Sequence, residues 1–330
     1  MYPEKIRVSI GTAAVLGLAK CRLDAKPATA YLMTYTNSSC LANCAYCPQA
    51  RENSSDKAML SRVLWPIFST REVFEGLRRA ADFLERVCIQ AINYPGFFED
   101  VVHLVKGLKE NTDLPVSLDA PPLVIREMEM LKGVGLERIS VPMDAATPKI
   151  FKKVKGCLAK GPYKWENHME ALKTAVKVFG CGKVMSNLIV GLGETEVEAA
   201  KFIQQFKDIG VQTVLFAFTP IPGTALADLP PPNLATYRRV QLVRYLITEG
   251  LAHFKNMEFD GRGKLVSFGV DQGILKNGLI GEALRTSGCP GCNRPYYNER
   301  PSGPFYNYPR MLKREELIKE TKLLGLMLNE

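Results

Sequence analysis

The feature that most constrains the fold is a regular alternation of short apolar segments with amphipathic ones, between about Tyr31 and Phe218. Short apolar runs of β type, bounded by turns, are typical of buried strands. The chain has six such runs: TAYLMTYT, VCIQAINY, LPVSLDA, RISVPMD, KVMSNLIVGL and VQTVLFAFTP. We therefore predict six strands along this part of the chain.

Amphipathic segments separate these strands. Their apolar residues recur every three or four positions, as on one face of a helix, over residues 70–86, 97–111, 122–135, 167–180 and 196–210. Strands and helices in strict alternation form right-handed βαβ units with a parallel sheet. Six units in series predict an α/β fold, a full or partial (β/α) barrel of the TIM type, with its chemistry at the carboxyl ends of the strands.

Two extensions flank this barrel. We assign residues 1–29 to a short N-terminal helical extension, 30–225 to the (β/α)6-like core and 226–330 to a C-terminal extension that completes the barrel. The extension contains a helix near 234–251 and a charged closing helix from Lys313. Residues 286–310 carry few apolar side chains for their length, so something other than a core must order them.

Three cysteines, Cys40, Cys44 and Cys47, stand within eight residues directly after the first predicted strand, at the active end of the barrel. Zinc would need a fourth Cys or His ligand, which this short range lacks. Thiolates alone at this spacing favour an iron–sulfur cluster in which one iron keeps a free position. A chance grouping of buried cysteines is the weaker alternative, because cysteine is rare.

The C-x3-C-x2-C spacing, with Tyr46 before the last cysteine, resembles the radical S-adenosylmethionine (SAM) superfamily. The resemblance implies a [4Fe–4S] cluster held by Cys40, Cys44 and Cys47, which are then the catalytic residues, and an open iron that chelates SAM. It also implies reductive cleavage of SAM to methionine and a 5′-deoxyadenosyl radical, which abstracts hydrogen from an unactivated carbon.

The same resemblance assigns SAM contacts elsewhere. NLIVGLGET (187–195) is similar to the fifth-strand motif that packs on the adenine, and AFTPIPGT (217–224) to the sixth-strand segment of the adenosine pocket. The implied contacts are Tyr46, Gly191, Gly193, Glu194 and Pro220 for the adenosine, Asp144, Ser186 and Asn187 for the ribose, and Lys160 or Lys164 for the carboxylate. Taken alone, the glycine pair would be an ordinary turn.

Within the superfamily, residues 30–225 resemble biotin synthase through RVCIQAINYPG, DAATP and IVGLGET. Biotin synthase holds a second, sulfur-donating cluster by cysteines on successive strands and an arginine. Cys88 matches the first of those cysteines, but the third strand, PVSL, has none and the fifth has Met185. Biotin formation by that route is therefore not expected.

The C-terminal SGCPGCNRPYYNERP offers replacement ligands, Cys289 and Cys292 in C-x2-C spacing. A zinc knuckle would need two more ligands, and none lies nearby in the sequence. We predict a second, auxiliary [4Fe–4S] cluster here instead. We interpret RPYYNERP (294–301) mainly as a segment that packs the tail against the barrel.

The four remaining cysteines are possible further ligands of this cluster. Cys21 is our first choice, because lipoyl synthases take auxiliary cysteines from the region before the radical motif. Cys157, on a loop, is the second choice. Cys88 and Cys181 lie in or beside strand-like runs, where a free cysteine is usually part of the core.

A biotin-synthase-like barrel with a CPGCNRPYYNE tail resembles the two-component lipoyl synthases of archaea. The resemblance implies a radical SAM sulfurtransferase that inserts sulfur into a protein-bound octanoyl chain, with the auxiliary cluster as sulfur donor. It implies three partners: an octanoylated lipoyl-carrier protein or domain, a paralogous radical SAM subunit, and an electron donor such as ferredoxin. One alternative is a biotin synthase-like or other radical SAM enzyme whose second cluster is structural or relays electrons. Another is a non-catalytic or zinc-binding protein that retains the barrel.

Charge and composition limit the partners and the cellular location that we expect. With 43 Lys and Arg against 34 Asp and Glu, the net charge is +9, which we interpret as spread along the chain without a basic block. The sequence has no nucleic-acid-binding motif to go with this positive charge, and binding of an acidic partner protein would explain the charge equally well. Nine cysteines, an odd number, argue against a disulfide framework. Without a long apolar run or a signal peptide, we expect a cytoplasmic protein that does not contact a membrane.

Overall fold

A computed structural model describes residues 2–275 and 277–326. Its strands are β1 (Lys5–Val8), β2 (Thr29–Thr34), β3 (Met59–Leu60), β4 (Val63–Leu64), β5 (Ile67–Ser69), β6 (Arg86–Gln90), β7 (Val116–Asp119), β8 (Leu136–Ser140), β9 (Val184–Val190), β10 (Val211–Ala217), β11 (Glu258–Phe259) and β12 (Leu265–Ser267). Its α-helices are α1 (Ile10–Val15), α2 (Thr70–Arg79), α3 (Phe97–Asn111), α4 (Ile125–Gly133), α5 (Pro148–Val154), α6 (Trp165–Phe179), α7 (Glu196–Asp208), α8 (Leu234–Thr248), α9 (Asn277–Ala283) and α10 (Arg314–Leu323). Short 3-10 turns cover Cys157–Ala159, Phe254–Asn256 and Gln272–Ile274.

Eight strands form one sheet in the order β10, β9, β8, β7, β6, β2, β1, β5. The six predicted strands, β2 and β6 to β10, pair in parallel in chain order, with helices in the connections. This confirms the α/β prediction as a partial (β/α)6 barrel. In the described part of the chain, β5 and β10 do not pair, so the sheet stays open between them.

The N-terminal extension contributes a strand as well as the predicted helix. β1 pairs antiparallel with both β2 and β5, and so lengthens the sheet beyond the parallel barrel. Only the six residues of α1 are α-helical before β2. Ile6 and Val8 of β1 are fully buried, which explains why this short strand is held in place.

Burial on both faces of the sheet accounts for the apolar strands. Leu32, Ile89, Ile139 and Leu188, one from each of four strands, are fully buried under the surrounding helices. Local signals set several helix ends: Ser69 and Glu72 form a capping box at the start of α2, and Thr195 and Glu198 form another at α7. Helix α2 was predicted to run to residue 86, but strand β6 already begins at Arg86, and the helix ends at Arg79.

The C-terminal extension has an apolar core of its own, built by α8, α9 and α10 around Leu242, Leu246, Ile280 and Leu284. A buried ion pair ties α8 to α10: Arg238 Nε donates to Glu320 Oε2 at 2.7 Å, and both side chains are almost completely buried. Arg238 also donates to the carbonyl of Tyr306 at 2.6 Å. The residues between α9 and α10 are thereby fixed against α8.

Among the described residues, no helix has both the length and the apolar character needed to cross a membrane.

Arg238→Ala should lower the free energy of unfolding by about 3–5 kcal/mol, because it leaves the Glu320 carboxylate buried without its partner. Arg310→Ala is the matched control, since Arg310 pairs with Glu316 of the same helix α10 in a partly exposed position and should cost about 1 kcal/mol or less. Urea unfolding of both variants measures the difference. Equal losses would contradict the role given to the buried pair.

Candidate functional site: two cysteine clusters in one barrel

A cavity of about 210 Å³ opens at the carboxyl ends of the six parallel strands. It is lined by residues in the C-terminal halves of the strands, including Met33 of β2, Gln90 of β6, Asp119 of β7 and Asn187 of β9. Cys40, Cys44 and Cys47 line the same cavity. The structure therefore brings the predicted cysteine triplet to the predicted end of the barrel; we call this space the upper cavity.

The loop that carries the three cysteines is held in a compact turn. The Cys47 amide donates to the Cys44 carbonyl at 3.0 Å, and the Ala42 amide to Cys40 Sγ at 3.4 Å. Lys57 Nζ donates to the carbonyl of Pro48 at 2.9 Å. These bonds fix the backbone, so the orientation of the thiols does not depend on a ligand alone.

The raised pKa values of these thiols show what kind of ligand would suit them. Burial raises the pKa of Cys44 to about 12, with Lys155 partly opposing the effect. Burial, followed by repulsion from Cys44, also raises the pKa of Cys47. Thiolates in such a place need a cationic partner, which the iron of a cluster supplies. Among the described residues, no three Cys, His, Asp or Glu side chains are grouped to hold a single metal ion.

Tyr46, Asp144 and Lys155 form a polar group on the wall of the upper cavity. Tyr46 donates its hydroxyl hydrogen to Asp144 Oδ2 at 2.5 Å, and Lys155 Nζ donates to the same oxygen at 2.6 Å. Lys155 is almost fully buried and lies over the ring of Tyr163. Tyr46 and Asp144, both predicted SAM contacts, thus share one hydrogen-bonded group.

The lysine at this group differs from the two proposed from sequence. Lys160 is 73% exposed and pairs with Glu52 at 3.1 Å, and Lys164 is exposed at the start of α6. Neither lines the cavity, whereas Lys155 does. A signal was present in the sequence: Lys155 follows the buried Phe151 by four residues, about one helical turn, and caps the C-terminal end of α5 on the same side.

The predicted contacts on β9 fall into two groups. Asn187 lines the upper cavity and donates to Asp119 Oδ2 at 3.0 Å. Ser186 is fully buried, donates to the Val141 carbonyl at 2.8 Å and accepts from the Met143 amide. Its hydroxyl therefore links β8 to β9 and does not line the cavity. Sequence reasoning missed Asp119, although it lies near the carboxyl end of the predicted strand LPVSLDA.

The glycine-rich turn after β9 is held by its own glutamate. Gly191 and Gly193 have φ of +108° and +109°, a region that favours glycine. Glu194 accepts from the amides of Gly191 at 2.6 Å and Leu192 at 3.1 Å. These residues and Pro220 do not line the upper cavity, although Phe218 and Thr219 beside Pro220 do. Their assignment to the adenosine stays a prediction.

A second, smaller cavity of about 60 Å³ lies deeper in the barrel. Its walls are strand residues, among them Tyr31, Cys88, Ser117 and Met185, and the C-terminal tail supplies the rest. The tail residues lining it are Gly288, Cys289, Cys292, Arg294 and Tyr297. The tail cysteines thus face Cys88 across one small space, which we call the inner cavity.

Contacts around the inner cavity are short and involve sulfur. Cys289 Sγ lies 3.4 Å from Met185 Sδ, and Cys292 Sγ lies 3.4 Å from the Tyr31 hydroxyl. Gln90 Nε2 donates to Cys88 Sγ at 3.2 Å. Burial, and next the neighbouring Cys292, raises the pKa of Cys289 to about 11. As in the upper cavity, several thiols share a space from which water is largely excluded.

Arg294 provides a positive charge beside Cys292. Its guanidinium lies over the ring of Phe216, 4.0 Å from the centroid, and donates to the Ser287 carbonyl at 2.7 Å. Burial on its own lowers an arginine pKa, yet the pKa of Arg294 is raised, because Cys292 and Tyr31 lie beside it. We had interpreted this segment mainly as packing; its arginine also reaches the cysteine-lined cavity.

The other cysteines lie apart from this cavity. Cys21, our predicted third ligand, is exposed, its thiol contacts the Arg22 carbonyl, and it does not line the inner cavity. Cys157 and Cys181 are also exposed. Cys88, which we had placed in the core, is the one that lies with Cys289 and Cys292.

The two cavities share a wall made of Gln90, Asp119, Asn187, Phe216 and Tyr297. Tyr297 comes from the tail and packs edge-on against Phe216. Burial raises the pKa of Asp119 to about 6, with the hydrogen bond from Asn187 opposing it. A substrate carbon at this wall would lie between the two cysteine groups.

Comparison with known proteins identifies the family. Residues 35–206, just over half of the 330 residues, match the model of the radical SAM superfamily. The chain belongs to this superfamily. Membership implies a [4Fe–4S] cluster and SAM, and the matched range contains Cys40, Cys44 and Cys47 while ending before the tail.

The individual proteins similar to this chain have low sequence identity with it. Biotin synthase of Clostridium acetobutylicum is 23% identical over 259 residues, which cover 76% of this chain and 74% of that protein. A probable GTP 3′,8-cyclase of Saccharolobus islandicus is 31% identical over 207 residues, or 61% of this chain and 60% of that protein. This radical SAM enzyme therefore has a weak similarity to biotin synthase and to other members.

Two solved structures share the fold. Methylornithine synthase superposes with a TM-score of 0.50 at 14% identity, covering 65% of this chain and 62% of that one. The FeFe-hydrogenase maturase HydG from Carboxydothermus hydrogenoformans gives 0.51 at 14% identity, covering 67% and 51%. The radical SAM chain thus spans less than two thirds of either structure, and the likeness concerns the barrel only.

Lys155→Met should reduce the formation of 5′-deoxyadenosine from SAM by about tenfold or more, because it removes a buried charge-assisted hydrogen bond of about 1.5–3 kcal/mol at Asp144. Lys160→Met is the matched control and should change the rate less than twofold, since Lys160 pairs with Glu52 on the surface. Chromatography of anaerobic, dithionite-driven reactions measures both, with circular dichroism to check folding. An equal loss in the two variants would contradict the assignment.

Proposed function

We propose that this radical SAM enzyme inserts sulfur into an octanoyl chain bound to a lipoyl-carrier protein, as a lipoyl synthase component. The observation that supports the proposal most is the position of Cys88, Cys289 and Cys292 directly below the radical site, with a shared wall between the two groups. A sulfur donor must lie on the far side of the reacting carbon from the radical source. The stacked cavities meet that requirement within a single barrel.

Under this proposal, Cys88, Cys289 and Cys292 hold the auxiliary cluster, and Cys21 does not. All three line one small cavity, whereas Cys21 is exposed. Cysteine sulfurs are the usual ligands of iron–sulfur clusters. Arg294 and the Tyr31 hydroxyl, both beside Cys292, would stabilise negative charge on that sulfur.

When bound, the radical cluster and SAM would supply a 5′-deoxyadenosyl radical, at a cost of one electron per SAM, and this radical would take a substrate hydrogen; the auxiliary cluster would supply the sulfur for the resulting carbon and accept the one electron left over. The chain's own residues orient and shield this chemistry. Asp144, held by Tyr46 and Lys155, presents one fixed carboxylate to the upper cavity. Phe216 and Tyr297 exclude water from the shared wall.

The upper cavity also has the surface that a carbon chain requires. Apolar side chains of Met33, Leu60, Ile92, Ile189 and Phe218 form much of its lining. Burial of apolar area contributes about 25 cal/mol per Å², so an octanoyl chain would gain more here than a polar substrate. The net charge of +9 supports an acidic carrier protein as the bearer of that chain.

The second candidate is a radical SAM enzyme of another kind, in which the auxiliary cluster stays intact as a structural or electron-relay group, or which acts on a small molecule as biotin synthase does. The 23% identity with biotin synthase over 259 residues favours keeping it. The fate of the sulfide separates these candidates, because only a sacrificial donor loses sulfur to the product.

Anaerobic incubation with SAM, dithionite, an octanoyl-lysine peptide and a paralogous radical SAM subunit should yield 5′-deoxyadenosine together with a thiolated peptide. If the clusters are rebuilt with isotopically heavy sulfide, mass spectrometry should find the label in the product. Cys289→Ser should still cleave SAM but form no thiolated peptide. Label that remains in the protein, or conversion of dethiobiotin instead of the peptide, would favour the second candidate.

Iron analysis tests the ligand set independently. The purified, reconstituted chain should hold about eight irons, as two [4Fe–4S] clusters require. Cys88→Ala and Cys289→Ala should each reduce this to about four, whereas Cys21→Ala and Cys181→Ala should leave about eight, because those thiols are exposed and outside the cavity. A loss on Cys21→Ala without one on Cys88→Ala would reverse the assignment.

A further inference from the structure

The positive charge of the chain is less evenly spread than composition alone indicates. Between Asp144 and Glu166 there are six lysines and no acidic residue. One of them, Lys155, is buried at the SAM site. The other five are exposed and form what we call the lysine patch: Lys149, Lys152, Lys153, Lys160 and Lys164. Lys160 is the only one of the five with an ion pair among the described residues.

The lysine patch is joined directly to the loop that carries Cys40, Cys44 and Cys47. The Ala45 amide donates to the Val154 carbonyl at 2.8 Å. Asn43 Nδ2 donates to the Ala159 carbonyl at 2.8 Å, and Arg51 Nη2 to the Lys160 carbonyl at 2.7 Å. Two stretches of backbone that bear the lysines are therefore in contact with the radical-site loop from outside the cavity.

The turn within the patch also exposes one large apolar side chain. Leu158 is 68% exposed, on the 3-10 turn between Lys153 and Lys160. A single exposed leucine is common on protein surfaces, but in a complex at this patch it would add an apolar contact to the charges that orient the bound protein.

We propose that the lysine patch is the docking surface for a small acidic electron-transfer protein that reduces the radical cluster. None of its five lysines lines the upper cavity, so a partner bound there would lie against the cysteine loop without needing a path into the cavity. That arrangement suits an electron donor, whose rate depends on its distance from the cluster, better than a carrier that must insert an acyl chain. Weak electron-transfer complexes use small interfaces, and an α5–turn–α6 surface is enough.

This inference rests on the radical cluster of the superfamily and is independent of the sulfur-inserting reaction. Its test therefore measures 5′-deoxyadenosine from SAM, with no thiolated product required. Reduced acidic ferredoxin and dithionite serve as alternative electron donors, because dithionite is small and needs no docking surface. A failure of the proposed sulfur chemistry would leave this readout unchanged.

The patch variant is Lys149→Glu/Lys152→Glu/Lys153→Glu, on the exposed face of α5. The matched control is Lys106→Glu/Lys173→Glu/Lys201→Glu, which makes the same charge change at exposed positions on α3, α6 and α7. We expect the patch variant to lower kcat/KM for ferredoxin by about tenfold or more at low salt, with dithionite-driven rates within twofold of the parent. The difference should shrink as ionic strength rises.

Two outcomes would overturn the proposal. If the patch and control variants lose ferredoxin-driven activity equally, the effect comes from net charge and the patch has no special role. If the patch variant keeps its ferredoxin-driven rate but loses affinity for the acidic octanoylated carrier in dithionite-driven reactions, the surface belongs to the substrate carrier instead.

Discussion

The open edge of strand β10 is the constraint on which the inner site depends. An edge strand leaves backbone amides and carbonyls without partners in the sheet. Here side chains of the tail take their place: Ser287 Oγ accepts from the Leu215 amide at 2.8 Å, and Asn298 accepts from the Ala217 amide and donates to its carbonyl. Ser287 and Asn298 are therefore two points at which the tail is fixed to β10.

The tail is fixed on the opposite side as well. Asn293 Oδ1 accepts from the Ala28 amide at 3.1 Å, and the Gly291 carbonyl accepts from Thr29 Oγ1 at 3.0 Å. Between these attachments to β10 and to the start of β2 lie Cys289, Cys292 and Arg294. Their position in the barrel thus follows from hydrogen bonds made by their neighbours, which also explains how a segment with few apolar residues is ordered without a core of its own.

The sequence was most informative where a regular pattern existed. Six strands and most of the helices followed from periodicity, and the cysteine loop from its spacing and its place after β2. Cys88, the third cysteine of the inner cavity, could not be found in this way, because its neighbours in the sequence are as apolar as those of a core cysteine. Only the path of the tail, two hundred residues further along the chain, brings Cys289 and Cys292 to it. That path depends on side-chain hydrogen bonds, which have no period.

In the segment from Asp144 to Glu166, one side of a short helix faces the upper cavity and the other side faces solvent. Lys155 caps the C-terminal end of α5, one turn after the buried Phe151, and reaches Asp144, while Lys149, Lys152 and Lys153 point to solvent. Choosing a lysine for the SAM carboxylate by sequence position alone selected Lys160 and Lys164, which lie beyond the helix and do not line the upper cavity. Because the inward and outward lysines lie on opposite sides of this segment, the charge outside can change without moving the Lys155–Asp144 pair, and the proposed docking surface can be tested separately from the proposed SAM contact.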